Sequence, residues 1–442
     1  MRKLPHTGAR IKALLKKPTL LFAAFAIAAM GVISFKADAN AQDKSIKIGI
    51  VTFFSGGPAG SFGVPAGNAA KLVIAAINDG SIPAPYNTVG VGGAKIVPIY
   101  VDENSKQKNA DYLKLVEKDA VDIVVGYSSS GSCKAIAPEA EKAKKLTIFT
   151  ECGTPQIFEE IVTDPKYTFR TGAHATMDNV AAARYLEKIG TAVDSIAGIN
   201  QNYAWGHDSW RDFYASIAQI NSKSKVTTKQ FPKIYAGQYG SEISALLTSR
   251  PNVIHSSFWG GDLEAFIVQA SARGVFGLAK VVLTTGETSI HRLATQIPDG
   301  AIIGARGPHG ELAPKSDLNT WFREAYFERF GTLPTFPAYK MAQAIFGVKA
   351  AGDKAGGTDQ AAVIGALKGL EWDSPSGKVS MALANGHQAI QDTAYGTYKY
   401  DKDAGKATLV DVVRFKAECV NPPSGVISID WINGGFEGAS CK

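Results

Sequence analysis

The stretch that most constrains the fold is residues 121–155, VDIVVGYSSSGSCKAIAPEAEKAKKLTIFTECGTP. The β-branched run at 121–125 suits a parallel strand covered on both faces. Residues 133–144 place Ile136, Ala137, Ala140 and Ala143 at helical spacing, with Glu and Lys between them. Residues 146–149 are a second apolar run. Strand, crossover helix and strand make a βαβ unit, so the chain is committed to an α/β sheet. Each strand ends in a small polar loop, at 127–132 and 150–154. In open parallel sheets, ligands sit beyond the carboxyl ends of the strands. Ser128, Ser129 and Ser130 fall where the helix begins, so hydroxyls and free backbone N–H groups face one spot. That is a cradle for an anion or carboxylate that needs no basic residue. The plainer reading is that one serine only caps the helix.

The same alternation runs through most of the chain. A strand at 46–53 leads into SGGPAGSFG, a loop without the Lys-Ser/Thr of a P-loop or the Gly-x-Gly-x-x-Gly spacing. It reads as a ligand-facing loop with close backbone approach. A helix at 67–77, a strand at 95–101 and a helix at 107–119 follow. A second series comprises strands at 196–200, 253–258 and 281–284, with helices at 177–189, 210–220, 241–248 and 263–272. This predicts two doubly wound α/β units, each around a mainly parallel sheet. Beyond residue 300 lie helices at 318–330 and 338–350, an antiparallel ribbon at 378–400 and an extended tail.

The net charge of +7 invites a nucleic-acid reading, but its distribution excludes one. Residues 1–41 hold seven basic residues and one acid. Without them, 40 basic and 39 acidic residues remain, a net +1. The basic segment precedes an apolar run at 20–35, and Ala39-Asn40-Ala41 supplies small residues two apart. This is the pattern of a secretory signal cleaved after Ala41. The run is shorter than the ~20 apolar residues of a spanning helix. No later stretch reads as a membrane span. Export permits disulfides, and the four cysteines, Cys133, Cys152, Cys419 and Cys441, allow three pairings. Cys133 and Cys152 follow adjacent strands at one sheet edge, so a bridge between them fits. Cys419 and Cys441 would then pin the tail. No Cys or His spacing suits a metal, and no cofactor is expected.

Taken together, IKIGIVTFFSGGPAGSFG, VVGYSSSGSC, TECGTP, NQNYAWG and SPSGKVSMALANGHQA are a resemblance in order and spacing. The chain resembles the periplasmic substrate-binding proteins of ABC importers, in the branched-chain amino-acid (leucine/isoleucine/valine-binding) family. The resemblance spans about residues 45–415. It implies the type I periplasmic binding protein fold: two Rossmann-like lobes, three hinge crossings and a ligand in the cleft. The crossings are expected near Arg170, Gly304 and Pro375. That divides the chain into a leader (1–41), lobe 1 (42–170 with 304–373), lobe 2 (171–303 with 374–416) and a disulfide-pinned tail (417–442).

The resemblance also implies roles. Ser128, Ser129 and Ser130, with Cys152 and Thr154, would hold an amino-acid carboxylate. Tyr203 and Trp259 would cover the ligand, and Glu287 would take its ammonium. A carboxylate–ammonium contact is a charge-assisted hydrogen bond. Glu151 and Asp262 add acids near the cleft, and Trp205 adds a large ring. Those departures suit an amide, urea or cationic ligand as well as an amino acid. An aromatic acid would suit Tyr203, Trp205 and Trp259, with Glu287 protonated. The expected activity is capture of a small ligand and delivery to an ABC permease in the periplasm, by a monomer, without catalysis. A ligand-sensing module of the same fold is the alternative. An enzyme with Cys152 as nucleophile lacks any local motif for a base or oxyanion hole.

Overall fold

The computed structural model describes residues 44–441. The expected leader and its cleavage site lie outside them. Among the described residues, two sheets carry the fold. The first has eight strands in the order Glu371–Ser374, Gly377–Leu383, Gln388–Ile390, Thr168–Arg170, Thr147–Phe149, Ile123–Gly126, Ser45–Thr52, Lys95–Asp102. Strands from its N-terminal portion pair in parallel, so helices must carry the chain back between them. The second has seven, in the order Lys406–Phe415, Thr393–Asp401, Ile302–Gly304, Lys280–Leu283, Val253–Ser256, Ser195–Ile199, Lys225–Gln230. Its last five strands are parallel, and an antiparallel pair closes the other edge.

The first core is built on helix Val64–Asp79, which packs against helix Phe336–Ala355. Together with the turn before it, the first of these is long and apolar enough to cross a membrane, contrary to the sequence expectation. Its apolar window is 67% buried in the lobe, so it is a core helix. In the second lobe, helices Ala175–Lys188 and Ala204–Ile220 pack together over the sheet.

The chain passes from one sheet to the other after Arg170, again after Gly304, and a third time between Ile390 and Thr393. Sequence reasoning places that third crossing near Pro375. The Ser-Pro-Ser-Gly segment there turns a hairpin instead, with Ser374 paired to Gly377, whose φ is +90°. Pro and Gly mark a reversal equally well in a turn or a crossing. Residues 374–390 therefore pair within the first sheet. Strand Lys225–Gln230 has no counterpart in the sequence reading. It is a polar edge strand, and exposed edges carry little apolar alternation.

The tail is not simply extended. Short helices Ala417–Val420 and Ser428–Asn433 place Cys419, Trp431 and Ile432 in the second lobe's core. Tertiary burial overrides the weak local helix propensity. Cys419 and Cys441 are bridged, with Cα atoms 4.6 Å apart. Cys133 and Cys152 are bridged at 6.2 Å.

Candidate functional site

Between the lobes, a cleft is lined by Phe62, Ser128, Ser130, Glu151, Gly153, Tyr203, Trp205, Trp259, Thr285 and Arg306. Most of these follow the carboxyl end of a strand: Gly126, Phe149, Ile199, Ser256, Leu283 and Gly304 are the strand ends that deliver them. Such ends leave backbone groups unpaired and loops free to vary. The walls meet closely around a cavity of about 10 Å³, the room of about one water molecule.

The serine loop holds a carboxylate, but one from the chain itself. The N–H groups of Ser128 and Ser129 donate to the two carboxylate oxygens of Glu103 at 2.7 and 2.8 Å. Burial raises the Glu103 pKa from 4.5 to about 7, against the pull of those N–H groups. The backbone donors expected to be free are therefore occupied. No serine side chain caps helix Ser130–Ala143. The Ser130 hydroxyl instead accepts from Thr154 N–H at 3.1 Å, tying the two lobe 1 loops together.

The cleft's charge centre was not visible in local sequence. Arg306 follows strand Ile302–Gly304 at the second crossing, with φ +51°. Its guanidinium forms an ion pair with Glu151 at 2.5 Å and with Asp178 at 3.3 Å. It also donates to Ala173 O at 2.5 Å. Glu151 is paired on its other oxygen with Lys340 at 2.6 Å. Lys340 stands inside helix Phe336–Ala355, four residues after Phe336 and three before Gln343. A lysine set among the apolar residues of that helix was the available signal. Burial lowers the Lys340 pKa from 10.5 to about 8, opposed by Glu151. Burial raises Asp178 from 3.8 to about 6, opposed by Arg306. For Arg306, burial acts downward, but Glu151 and Asp178 outweigh it and hold the guanidinium charged. Glu151, expected to repel a carboxylate, is thus met by two cations. Arg306 also links the lobes, because Glu151 belongs to the first and Asp178 to the second.

Aromatic rings make the rest of the wall. The Trp205 ring lies 4.1 Å from the Arg306 guanidinium carbon, and its Nε1 donates to Ser257 O at 2.8 Å. A stacked, desolvated guanidinium is attracted by the ring's negative face. Gly153 makes this approach possible, since a Cβ there would collide with both the Trp205 ring and Arg306. Trp259 Nε1 donates to the Tyr203 hydroxyl at 2.7 Å. Trp259 packs across the cleft on Phe62, with centroids 4.9 Å apart.

Of the residues singled out from sequence, the wall gathers Ser128, Ser130, Glu151, Tyr203, Trp205 and Trp259. Cys152 is buried in its disulfide. The Thr154 hydroxyl donates to Asp208 at 2.6 Å, an interlobe contact. Asp262 accepts from Gln201 at 2.6 Å and from Tyr235 N–H at 2.7 Å. Glu287 stands behind the wall. Its Oε2 accepts from Phe336 N–H, at the start of a lobe 1 helix, at 2.7 Å. Its Oε1 has no hydrogen-bond partner. Burial raises its pKa from 4.5 to about 7. Sequence reasoning missed Phe62, Gly153, Thr285 and Arg306. Phe62 lay inside the Gly-rich loop already read as ligand-facing. Among the described residues, no cluster of three or more His, Cys, Asp or Glu could hold a metal ion.

The periplasmic binding protein family matches residues 45–406. No curated protein sequence matches the chain. Solved structures with the same architecture include an ABC-transporter solute-binding protein from Rhodopseudomonas palustris BisB5 in complex with 3,4-dihydroxybenzoic acid. It is 22% identical, with TM-score 0.70, covering 84% of this chain and 98% of that one. Another, from R. palustris with 4-hydroxybenzoate, is 20% identical with TM-score 0.72, covering 85% and 98%. A leucine-binding protein from Thermotoga maritima MSB8 is 16% identical with TM-score 0.69, covering 83% and 98%. At these identities the likeness is one of fold.

Proposed function

This chain belongs to the periplasmic binding protein family, and we propose that it captures a small organic carboxylate in its interlobe cleft and delivers it to an ABC permease. The observation that carries the ligand class is Trp205 stacked on Arg306, with Tyr203, Trp259 and Phe62 completing an aromatic wall. The Arg306 guanidinium, shared with Glu151 and Asp178, puts positive charge at the wall for a carboxylate, and the rings offer flat apolar surface. Ser128, Ser130 and Thr285 supply hydroxyls for polar groups on the ligand body. An aromatic acid uses all of these. The complexes of the two R. palustris proteins with hydroxybenzoates support that choice.

A ligand touching both walls binds the closed arrangement better than an open one, so its binding energy drives closure. The leader, cleaved after Ala41, exports the protein, which works as a monomer and performs no catalysis. The near-neutral charge after the leader gives nucleic acid no electrostatic footprint.

A second reading, an amino acid, is favoured by Glu151 on the wall, whose charge an entering ammonium would share with Arg306 and Lys340. A thermal-shift screen of benzoates, hydroxybenzoates, leucine, amides, urea and polyamines separates them, because a bound ligand raises the midpoint by mass action. Saturable shifts with benzoates are expected. Shifts confined to amino acids would establish the second reading. Shifts confined to polyamines or neutral amides would overturn the carboxylate reading.

A further inference from the structure

A larger cavity, about 250 Å³, lies at the first crossing rather than in the cleft. Its walls come from three places: Arg170 and His174 of the crossing, Glu159 and Gln388 of lobe 1, and tail residues 422–427. Arg170 is 1% exposed. Its Nε donates to Gln388 Oε1, and its Nη1 donates to the carbonyls of Cys152 and Thr154. The guanidinium lies 5.6 Å from the Phe158 ring centroid. No carboxylate lies within ion-pair distance of it among the described residues, and its hydrogen bonds go to neutral acceptors. Burial and the nearby Arg306 lower the Arg170 pKa to about 9, so the fields of Glu159, Glu151 and Asp208 compensate its buried charge only in part. His174, also buried, has an unpartnered Nδ1 on the same wall. Burial, with Arg170 and Arg306 nearby, keeps its ring neutral, so it has one N–H to offer. Glu159 is the acid on the wall. Its Oε1 accepts from Ser428 N–H at 3.2 Å and from the Ser428 hydroxyl at 2.5 Å, and burial raises its pKa.

We propose that this hinge cavity is a second binding site, for a small carboxylate anion seated on Arg170 and roofed by the tail. It is separate from the cleft and does not depend on what the cleft binds. Arg170 also holds the carbonyls of the loop carrying Glu151 and Gly153, so one guanidinium touches both regions.

The test uses the mature protein with both disulfides intact and trifluoroacetate as probe, followed by fluorine NMR at constant ionic strength. Saturable broadening of the probe, reversed by acetate and not by chloride, is expected. Arg170→Lys keeps charge but loses the planar fork, and should weaken the probe by about tenfold or more. Because Arg170 also braces a loop, that variant could fail to fold. Ser424→Trp changes an exposed tail residue and fills the cavity instead. It should abolish the broadening while leaving the cleft solute's Kd unchanged. Absence of broadening in the wild type, or equal broadening in Ser424→Trp, would overturn the proposal.

Discussion

Glu151 and Glu287 are both buried, at 5% and 0% exposure, yet their surroundings are opposite. Glu151 is clamped between Arg306 and Lys340. Glu287 faces a backbone N–H, keeps one oxygen unpartnered, and has its pKa raised to about 7. Burial alone therefore does not decide an acid's role. Countercharge does, and here it comes from residues 155 and 189 positions further along the chain than Glu151. The paired acid is held in two ion pairs at the cleft. The unpaired one is a proton-sensitive contact between lobes.

Breaking the clamp should have the largest effect. Arg306→Met leaves Glu151 paired with Lys340 alone and Asp178 without its ion-pair partner. Removing one partner of a buried pair costs about 3–5 kcal/mol. Urea unfolding should register that loss, and calorimetry should find cleft binding of a carboxylate solute reduced by about 100-fold or more. A stability loss below about 1 kcal/mol, the range of an exposed pair, would mean that the clamp is not energetically closed to water.

The unpaired side is tested by pH. Because the folded pKa of Glu287 is above its unfolded value, its contribution is fully present below about 4.5 and is lost as pH rises through 7. Glu287→Gln removes that titration. The variant should gain on the wild type by up to about 3 kcal/mol between pH 4.5 and 8. Paired urea titrations check it, and a constant difference across that range would place Glu287 among ordinary carboxylates. The smallest effect belongs to the aromatic wall. Trp259→Phe keeps a ring but removes the donor to Tyr203. It should weaken cleft binding by about fivefold, the ~1 kcal/mol of one hydrogen bond, with stability nearly unchanged. A loss as large as that of Arg306→Met would move the recognition centre from charge to rings.

The lobes were legible because βαβ units announce themselves through local periodicity, as in residues 121–155. The wall residues Ser128, Glu151, Tyr203 and Trp259 were legible because strand ends are where ligands sit. Arg306 was not, because its position after a three-residue strand had no periodic context. Lys340 was hidden within an apolar helix, where the pattern spoke only of core. Glu103 was hidden because its partners lie 25 and 26 residues further along, so the serine loop looked unoccupied. The third crossing was displaced because a proline-glycine turn carries no information about which sheet its flanking strands join.

The tail adds a mechanical constraint. Rooted in the second lobe by Trp431 and Ile432 and stapled at Cys419–Cys441, it reaches over to Glu159 of the first through Ser428. It acts like the stay on a casement window. A swing of one lobe away from the other would have to snap those two bonds or drag residues 422–428 along, a tether set at the hinge side rather than at the rim of the cleft.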